Sequence, residues 1–511
     1  MNVGSLLPWH ARYRPDHLAV VCGDERLSFA ELESRVNRLA NALSRLGLRK
    51  GDKLALVLSN CPELLYAYRA AAMLGVVTVP LSPLLRGAGL VSLLRDSESG
   101  AVIASHSMAD ALDEARAELP LIADENYVLV GDSEKPGYRS YADLVAASPD
   151  SPPPSVEIDG SDVYNIVYSS GTTGSPKGII HTQTIRAAYC TMFAGSFRFT
   201  PESIVMHAGS LVFNGAFVTL MPAWYLGCTY VLQQKFDAAG FIETVAREKV
   251  THVMMVPSQI VAVMNAPNFS AEKLKSLRML CSVGAPWHRE HKERMLQILP
   301  DSLYELYGLT EGFITILDSS DFVSKIDSVG CPIPFSEMRI VGDDGKELPS
   351  GEVGEITGKS PMLMPGYYKR PDLTSQAIID GWLHTGDVGF ADADGFLHLV
   401  DRKKDMIISG GVNVFPKDIE EIIVQHPAVR EVAVYGIPDE KWGECPVAAV
   451  ILVREGEIDA ESLRKWTNSR VAARYQQIHE VVFTDDFPRS TAGKTLKRVL
   501  RETHGRTTVT A

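Results

Sequence analysis

The chain is poor in the features that mark specialised protein classes. Its seven cysteines, at positions 22, 61, 190, 228, 281, 331 and 445, lie far apart, with no C-x-x-C pair and no zinc-like spacing. That dispersal excludes a dense disulfide scaffold and reads as reduced packing cysteines in a cytoplasmic protein. The start MNVGSLLPWHARYRPD has no long apolar core behind a basic patch, so no secretory signal is expected. The longest apolar stretch, residues 64–80, contains Arg69, Gly75 and Pro80 and is too short to span a bilayer comfortably. It reads as a buried helix followed by a strand. Excess positive charge is missing too: 50 Lys and Arg stand against 63 Asp and Glu, a formal net charge of −13. Such a surface repels nucleic acid, so any polyanionic ligand must be gripped locally by backbone N–H groups or a few placed cations. No repeat of solenoid period occurs.

What is present fits a globular protein of several units. A chain of 511 residues exceeds one ordinary core and predicts two to four structural units. Apolar content of 45% with 22% charged residues excludes a disordered chain. Near the start, Ser28 and Glu31 have capping-box spacing. Leu32, Val36, Leu39, Leu43 and Leu46 then recur at helical intervals, and Gly47 is placed to end the helix. LALVLSN after Gly51–Asp52 has a buried-strand pattern, and the helix–turn–strand rhythm argues for α/β layers. The Pro-, Ser- and Asp-rich segment 147–162 is a surface connection. Between 328 and 400 the pattern changes to short strands and tight turns, predicting a small β-rich subdomain. After DRKKD (401–405) helix–strand alternation returns.

The most informative segment is YSSGTTGSPKG (168–178). It follows a strand pattern, VYNIVY, and precedes a helical pattern, TQTIRAAYCTMF, so it reads as a strand-to-helix loop. Gly171 and Gly174 allow sharp turns and close approach to a ligand. Successive N–H groups in such a turn form an anion-binding concavity. Ser169, Ser170, Thr172 and Thr173 add hydroxyl donors, and Lys177 adds a point charge. The spacing is neither the G-x4-G-K-[ST] phosphate loop nor the GxGxxG dinucleotide turn. On residues alone, phosphate binding competes with a plain flexible Gly/Ser loop.

The string resembles the phosphate-loop signature of the adenylate-forming superfamily, which includes acyl-CoA synthetases, adenylation domains of nonribosomal peptide synthetases and firefly luciferase. Further signatures follow in order: YGLTEG (307–312), GEITGKSPMLMPGYYKRPDLT (354–374), GWLHTGD (381–387), DRKKDMIISGGVNVFP (401–416) and PRSTAGKTLKR (488–498). The resemblance spans residues 1 to about 505. It implies a large N-terminal domain of layered α/β sheets, residues 1–403, with a β-rich subdomain at 328–400, and a small mobile α+β C-terminal domain at 404–511.

It also implies roles, residue by residue. Glu311, with Thr173, would support Mg²⁺, which prefers oxygen ligands; by itself Glu311 reads equally as a helix-start acid. Thr310 would contact the α-phosphate, and the ring of Tyr307, followed by Gly308, would stack on adenine. Gly284, Ala285 and Pro286 match the segment that flanks adenine and lines the acyl pocket, with Val283 where the family often has glycine. Asp387 and Arg402 match the ribose ligands, although an Asp after Gly is also an ordinary turn residue. Asn413 would join the nucleotide site. Lys494 and Lys177 would stabilise charge at the phosphates during adenylation. Lys404 matches the hinge on which the C-terminal domain rotates, and Gly410 and Gly411 the backbone passing along the pantetheine arm of coenzyme A.

The acyl pocket would be lined by Phe213, Asn214, Val283, Gly284, Gly308 and Leu309, with Val212, Met255 and Val256 beside them. Asn214 is neutral and offers no counter-charge to an α-ammonium group, which disfavours amino acids and favours an aliphatic, alicyclic or aryl acid. The expected cofactors are ATP, Mg²⁺ and coenzyme A. The expected reaction is acyl-AMP formation with release of pyrophosphate, then transfer to CoA by a monomer or homodimer. The chain runs only a short polar tail past Lys494, so no fused carrier domain is expected. Loading of a separate carrier protein is the runner-up, separable by assaying both acceptors. An ATP-binding regulatory protein would bind nucleotide without releasing pyrophosphate. If Lys494 serves only the first half-reaction, Lys494→Ala abolishes acyl-AMP formation but leaves thioester formation from supplied acyl-AMP; equal loss of both half-reactions would reject that division.

Overall fold

The computed structural model describes residues 2–131, 134–169, 177–402, 405–409, 412–439, 442–471, 473–489 and 495–507. The capping box is formed: Ser28 accepts from the Glu31 N–H and Glu31 accepts from the Ser28 N–H, opening the helix Phe29–Arg45. Leu32, Val36, Leu39 and Leu43 on that helix are fully buried. The apolar run is a helix, Pro62–Leu74, followed by the strand Val77–Pro80. Among the described residues no helix is long and apolar enough to cross a membrane.

Two large sheets dominate the first 332 residues. In the seven-stranded sheet, Lys53–Val57 pairs in parallel with Val77–Pro80 and Ala101–Ser105, and the edge is Val163–Ser169 with Lys177–Thr182. In the nine-stranded sheet, Thr229–Leu232, Ile204–His207, His252–Met255, Met279–Val283 and Leu303–Gly308 run parallel in that spatial order. One continuous apolar core joins Leu54 and Ile103 of the first sheet to Val205, Met254 and Cys281 of the second, through the helices Phe29–Arg45, Pro62–Leu74, Gln183–Ser196 and Phe217–Leu226. This is the layered α/β arrangement that the helix–strand rhythm predicts, because strands hydrophobic on both faces must be covered by helices.

A five-stranded, mainly antiparallel sheet follows, built on Glu337–Val341, Gly354–Lys359, Ile378–Ile379, Trp382–Ala391 and Leu397–Arg402. A second five-stranded sheet, formed by segments between 407 and 483, has its own core around Ile407, Ile419, Val434, Val450 and Leu463. The helix Pro416–Ile423 of this last unit touches the large one. Lys417 Nζ donates to the Leu399 carbonyl at 2.9 Å, and Glu421 Oε1 meets His288 Nδ1 at 3.0 Å.

Beneath that contact lies a buried ion pair. Lys292 Nζ is 2.5 Å from Glu305 Oε2, with both side chains about 5% exposed, and it also donates to the Ile326 carbonyl. Burial pushes the Glu305 carboxyl up, and Lys292 opposes that shift. Removing one partner of such a pair leaves an uncompensated charge in a poorly solvated place. Lys292→Met is expected to cost about 3–5 kcal/mol near neutral pH. The loss should shrink on acidification, since a carboxyl whose folded-state pKa is raised is stabilised below that pKa by taking up a proton. Urea unfolding at two pH values checks both the size and the sign.

Candidate nucleotide and acyl site

The parallel strands of the nine-stranded sheet end on one side, and the carboxyl ends of such strands are where α/β folds bind ligands. Gly284, Ala285 and Pro286 follow Met279–Val283 there and are exposed, while Val283 is half-buried. Gly284 has φ of +87°, in the left-handed region that glycine enters without strain. Leu303–Gly308 ends at the same edge and turns into Ile314–Leu317, its antiparallel neighbour. The TEG motif is that turn. Leu309 N donates to the Phe313 carbonyl and Gly312 N to the Leu309 carbonyl. Gly312 has φ of +114°, and a β-carbon there would lie 2.0 Å from the Met362 carbonyl oxygen. Only glycine fits that approach, which lets Met364 N donate to the Glu311 carbonyl at 2.8 Å. Glu311 therefore lies in a strand-to-strand turn, not at a helix start.

The phosphate-loop segment needs a similar correction. Lys177–Thr182 is a strand, antiparallel to Val163–Ser169 with Ser169 opposite Lys177, and the helix Gln183–Ser196 begins only after it. The segment 170–176 thus connects two strands of a hairpin rather than a strand and a helix. The second arm of the hairpin is held by the MPGYYKR motif: Tyr368 N donates to the Gly178 carbonyl at 2.7 Å, and Ile180 N donates to the Gly366 carbonyl. Lys177 Nζ lies 5.1 Å from the centre of the Tyr367 ring, and Tyr367 Oη donates to Glu311 Oε1 at 2.8 Å. Burial and then the Glu311 charge push the Tyr367 hydroxyl well above the usual tyrosine range, so it remains a donor. Lys177 and Glu311 are in this way both brought against Tyr367.

Thr310 is held by a residue that sequence reasoning missed. His181 Nε2 is 2.9 Å from the Thr310 carbonyl, and its ring is fully buried. Facing a carbonyl, Nε2 must carry the proton. Burial, helped by the Arg186 charge, pushes His181 well below its ordinary value, so a neutral imidazole donates to Thr310. Tyr307 donates from Oη to Asp387 Oδ2 at 2.8 Å, and Asp387 stands directly opposite Arg402 in the sheet. Three residues expected at the nucleoside end are thereby gathered from three motifs spread over nearly a hundred positions.

At the acyl end, Phe213, Asn214, Val256, Val283 and Leu309 are half-buried, and Gly308 is exposed. Val212 and Met255 are core residues instead, each 2% exposed and packed in apolar clusters. Asn214 is not isolated: its Oδ1 accepts from Arg186 Nη2 at 2.9 Å, and its Nδ2 donates to Tyr189 Oη at 3.1 Å. Arg186 and Tyr189 read as helix-pattern residues in the sequence, and no local signal marks them. The positions Ser170, Gly171, Thr172, Thr173, Gly174, Lys404, Gly410, Gly411 and Lys494 lie outside the described residues, as do the side chains of Ser169, Arg402 and Asn413. Asn413 is in the strand Val412–Val414, with its backbone opposite Ile408.

Comparison with known proteins agrees with this geometry. Residues 7–368 match the family described as AMP-binding enzyme, and residues 418–494 match the AMP-binding enzyme C-terminal domain. The chain is 34% identical over 512 residues to a feruloyl-CoA synthase of an Amycolatopsis species, covering 99% of each chain. It is likewise 34% identical over 513 residues to the long-chain-fatty-acid–CoA ligase FadD13 of Mycobacterium tuberculosis, again covering 99% of each. Among solved structures, the anthranilate CoA ligase AuaEII in complex with anthranoyl-AMP superposes with a TM-score of 0.92 at 26% identity, covering 100% of this chain and 98% of that one. The chain belongs to the AMP-binding enzyme family, among the acyl-CoA synthetases of the adenylate-forming superfamily.

Proposed function

We infer that this chain activates a carboxylic acid as acyl-AMP with release of pyrophosphate and then passes the acyl group to coenzyme A, yielding acyl-CoA and AMP. The observation that carries this reading is the meeting of Lys177, Tyr367 and Glu311 beside the carboxyl ends of parallel strands, in a chain similar along 99% of its length to CoA ligases. It is an AMP-forming acid–thiol ligase.

The roles of single residues follow from chemistry. The loop 169–177 would cradle the phosphates, since its glycines and hydroxyls offer N–H and O–H donors to a polyanion. Glu311 would hold Mg²⁺ through a carboxylate oxygen, which suits a hard cation; the ion would neutralise charge on the phosphates. Tyr367 keeps that carboxylate in place. Asp387 would accept from the ribose hydroxyls while Tyr307 and the Gly284–Pro286 segment enclose adenine. The carboxylate of the acid attacks the α-phosphorus, the bond to the β-phosphate oxygen breaks, and pyrophosphate leaves. Charge grows on the α-phosphate oxygens, where Lys494 from the C-terminal unit and the Thr310 hydroxyl would stabilise it.

For the second half-reaction we place the domain boundary at 403/404 and the hinge at Lys404. The polar contacts of the helix Pro416–Ile423 with Leu399 and His288 are of a kind that separates at modest cost, as such a rotation requires. The thiolate then attacks the acyl carbonyl and AMP leaves. The body of the acid is apolar, matched to Phe213, Val256, Val283 and Leu309.

Three measurements test this reading. A pyrophosphate-release screen over aliphatic, alicyclic and aryl acids, with and without CoA, should find turnover for at least one class; release for none would overturn it. Glu311→Gln should lower the rate of acyl-AMP formation by about 10²-fold, with part of the loss recovered at raised Mg²⁺. Gly411→Leu should block thioester formation while ATP–pyrophosphate exchange survives; equal loss of both would mean that the fold, not the thiol channel, is damaged.

A further inference from the structure

The acyl side of the site contains a charge that the chain itself does not balance. Arg186, on the helix Gln183–Ser196, is fully buried. Its Nε and Nη2 donate to Asn165 Oδ1 at 3.2 and 3.0 Å, and Nη2 also donates to Asn214 Oδ1 at 2.9 Å. Its Cζ lies 4.1 Å from the centre of the Phe217 ring and 4.7 Å from that of Tyr189. Nη1, also buried, has no hydrogen-bond partner, and no carboxylate pairs with Arg186 among the described residues. Amide oxygens and ring faces offset only part of the cost of removing a guanidinium from water. Nor does the group escape by losing its proton at ordinary pH. Lys292, buried to the same degree, is by contrast neutralised by Glu305.

Arg186 reaches the half-exposed surface through Asn214. The chain is buried at Leu211 and Val212 and again at Ala216, and only Phe213, Asn214 and Gly215 between them are partly exposed. The Asn214 amide is oriented by its two bonds: its oxygen faces the guanidinium, and one N–H goes to Tyr189. An amide nitrogen has two N–H donors, so one remains for a ligand. The polarity of this wall is therefore that of a donor backed by a cation, set among apolar residues.

Resting on the reading that this site adenylates an acid, we propose that the acid carries a second carboxylate, distal to the one activated. That group would accept from Asn214 Nδ2 and supply the counter-charge to Arg186. A hydrocarbon or aryl body would lie between the two carboxylates, against Phe213, Val283 and Leu309. Arg186 and Asn214 are thus specificity-determining residues for dicarboxylic acids.

The test uses matched pairs of acids with the full chain: hexanoate against adipate, and benzoate against isophthalate, with pyrophosphate release giving kcat and KM separately. The diacid of at least one pair should be favoured by about tenfold or more in kcat/KM, mainly through KM. Arg186→Met should abolish that preference by raising KM for the diacid, and Arg186→Lys should restore part of it. If thermal melting shows that Arg186→Met does not fold, Asn214→Leu, at a half-exposed position, should show the same loss of preference. Wild-type preference for the monoacid in both pairs, or a diacid preference that survives Arg186→Met or Asn214→Leu, would overturn the inference while leaving the adenylation reading intact. Release with no acid, including the wider panel, would overturn both.

Discussion

The hydrogen bond from Tyr367 to Glu311 holds together three segments that the chain itself separates widely. Its ring meets Lys177 of the hairpin and its hydroxyl Glu311 of the 309–313 turn, while its own backbone runs beside the strand Lys177–Thr182. A carboxylate proposed to stand near a triphosphate is in an unfavourable place unless something holds it. A tyrosine whose hydroxyl is kept protonated by burial does so without adding charge. Backbone bonds lock the arrangement from both sides, at Met364–Glu311 and at Tyr368–Gly178. At Gly312 the turn passes so near the Met362 carbonyl that no β-carbon fits.

The same constraint reaches the acyl end through buried polar groups. His181 lies two residues before the helix that carries Arg186, and donates to Thr310; burial and then the Arg186 charge depress the His181 pKa, and Arg186 donates to Asn214. The 309–313 turn and the Phe213–Gly215 segment are therefore each braced from inside the protein, by His181 and by Arg186, which feel one another's charge. Fully satisfied networks of this kind rigidify a site, and a member left without a partner is costly in a low dielectric. The unpartnered Nη1 of Arg186 is such a member.

The C-terminal unit has an independent core, while its described polar contacts with the larger unit involve Lys417 and Glu421. A contact made through charged side chains and a carbonyl is compatible with docking in more than one pose, since such groups are readily solvated when they part. The helix Pro416–Ile423 meets the large unit at His288, only two residues beyond Pro286.

Much of the fold was legible because its signals are local. The capping box at Ser28, the helical run from Leu32 to Leu43 and the helix and strand within 64–80 each depend on residues a few positions apart, and each formed as the pattern dictates. The motifs also marked Lys177, Thr310, Glu311, Tyr307 and Asp387 as residues of one site. The hairpin after position 170 was misread because KGIIHT runs directly into a helical pattern, and only pairing with Val163–Ser169 and with Tyr367 makes it a strand. What tertiary structure alone decided is which side chains are partners. Tyr367 finds Glu311 across 56 positions, and Arg186 finds Asn165 and Asn214 across 21 and 28. Such pairs are set by sheet register and by the packing of one helix between two sheets, and neither leaves a trace in local spacing. The sequence by itself thus determined the elements and the chemical inventory of the site, while the geometry of three dimensions decided that a buried cation stands behind Asn214.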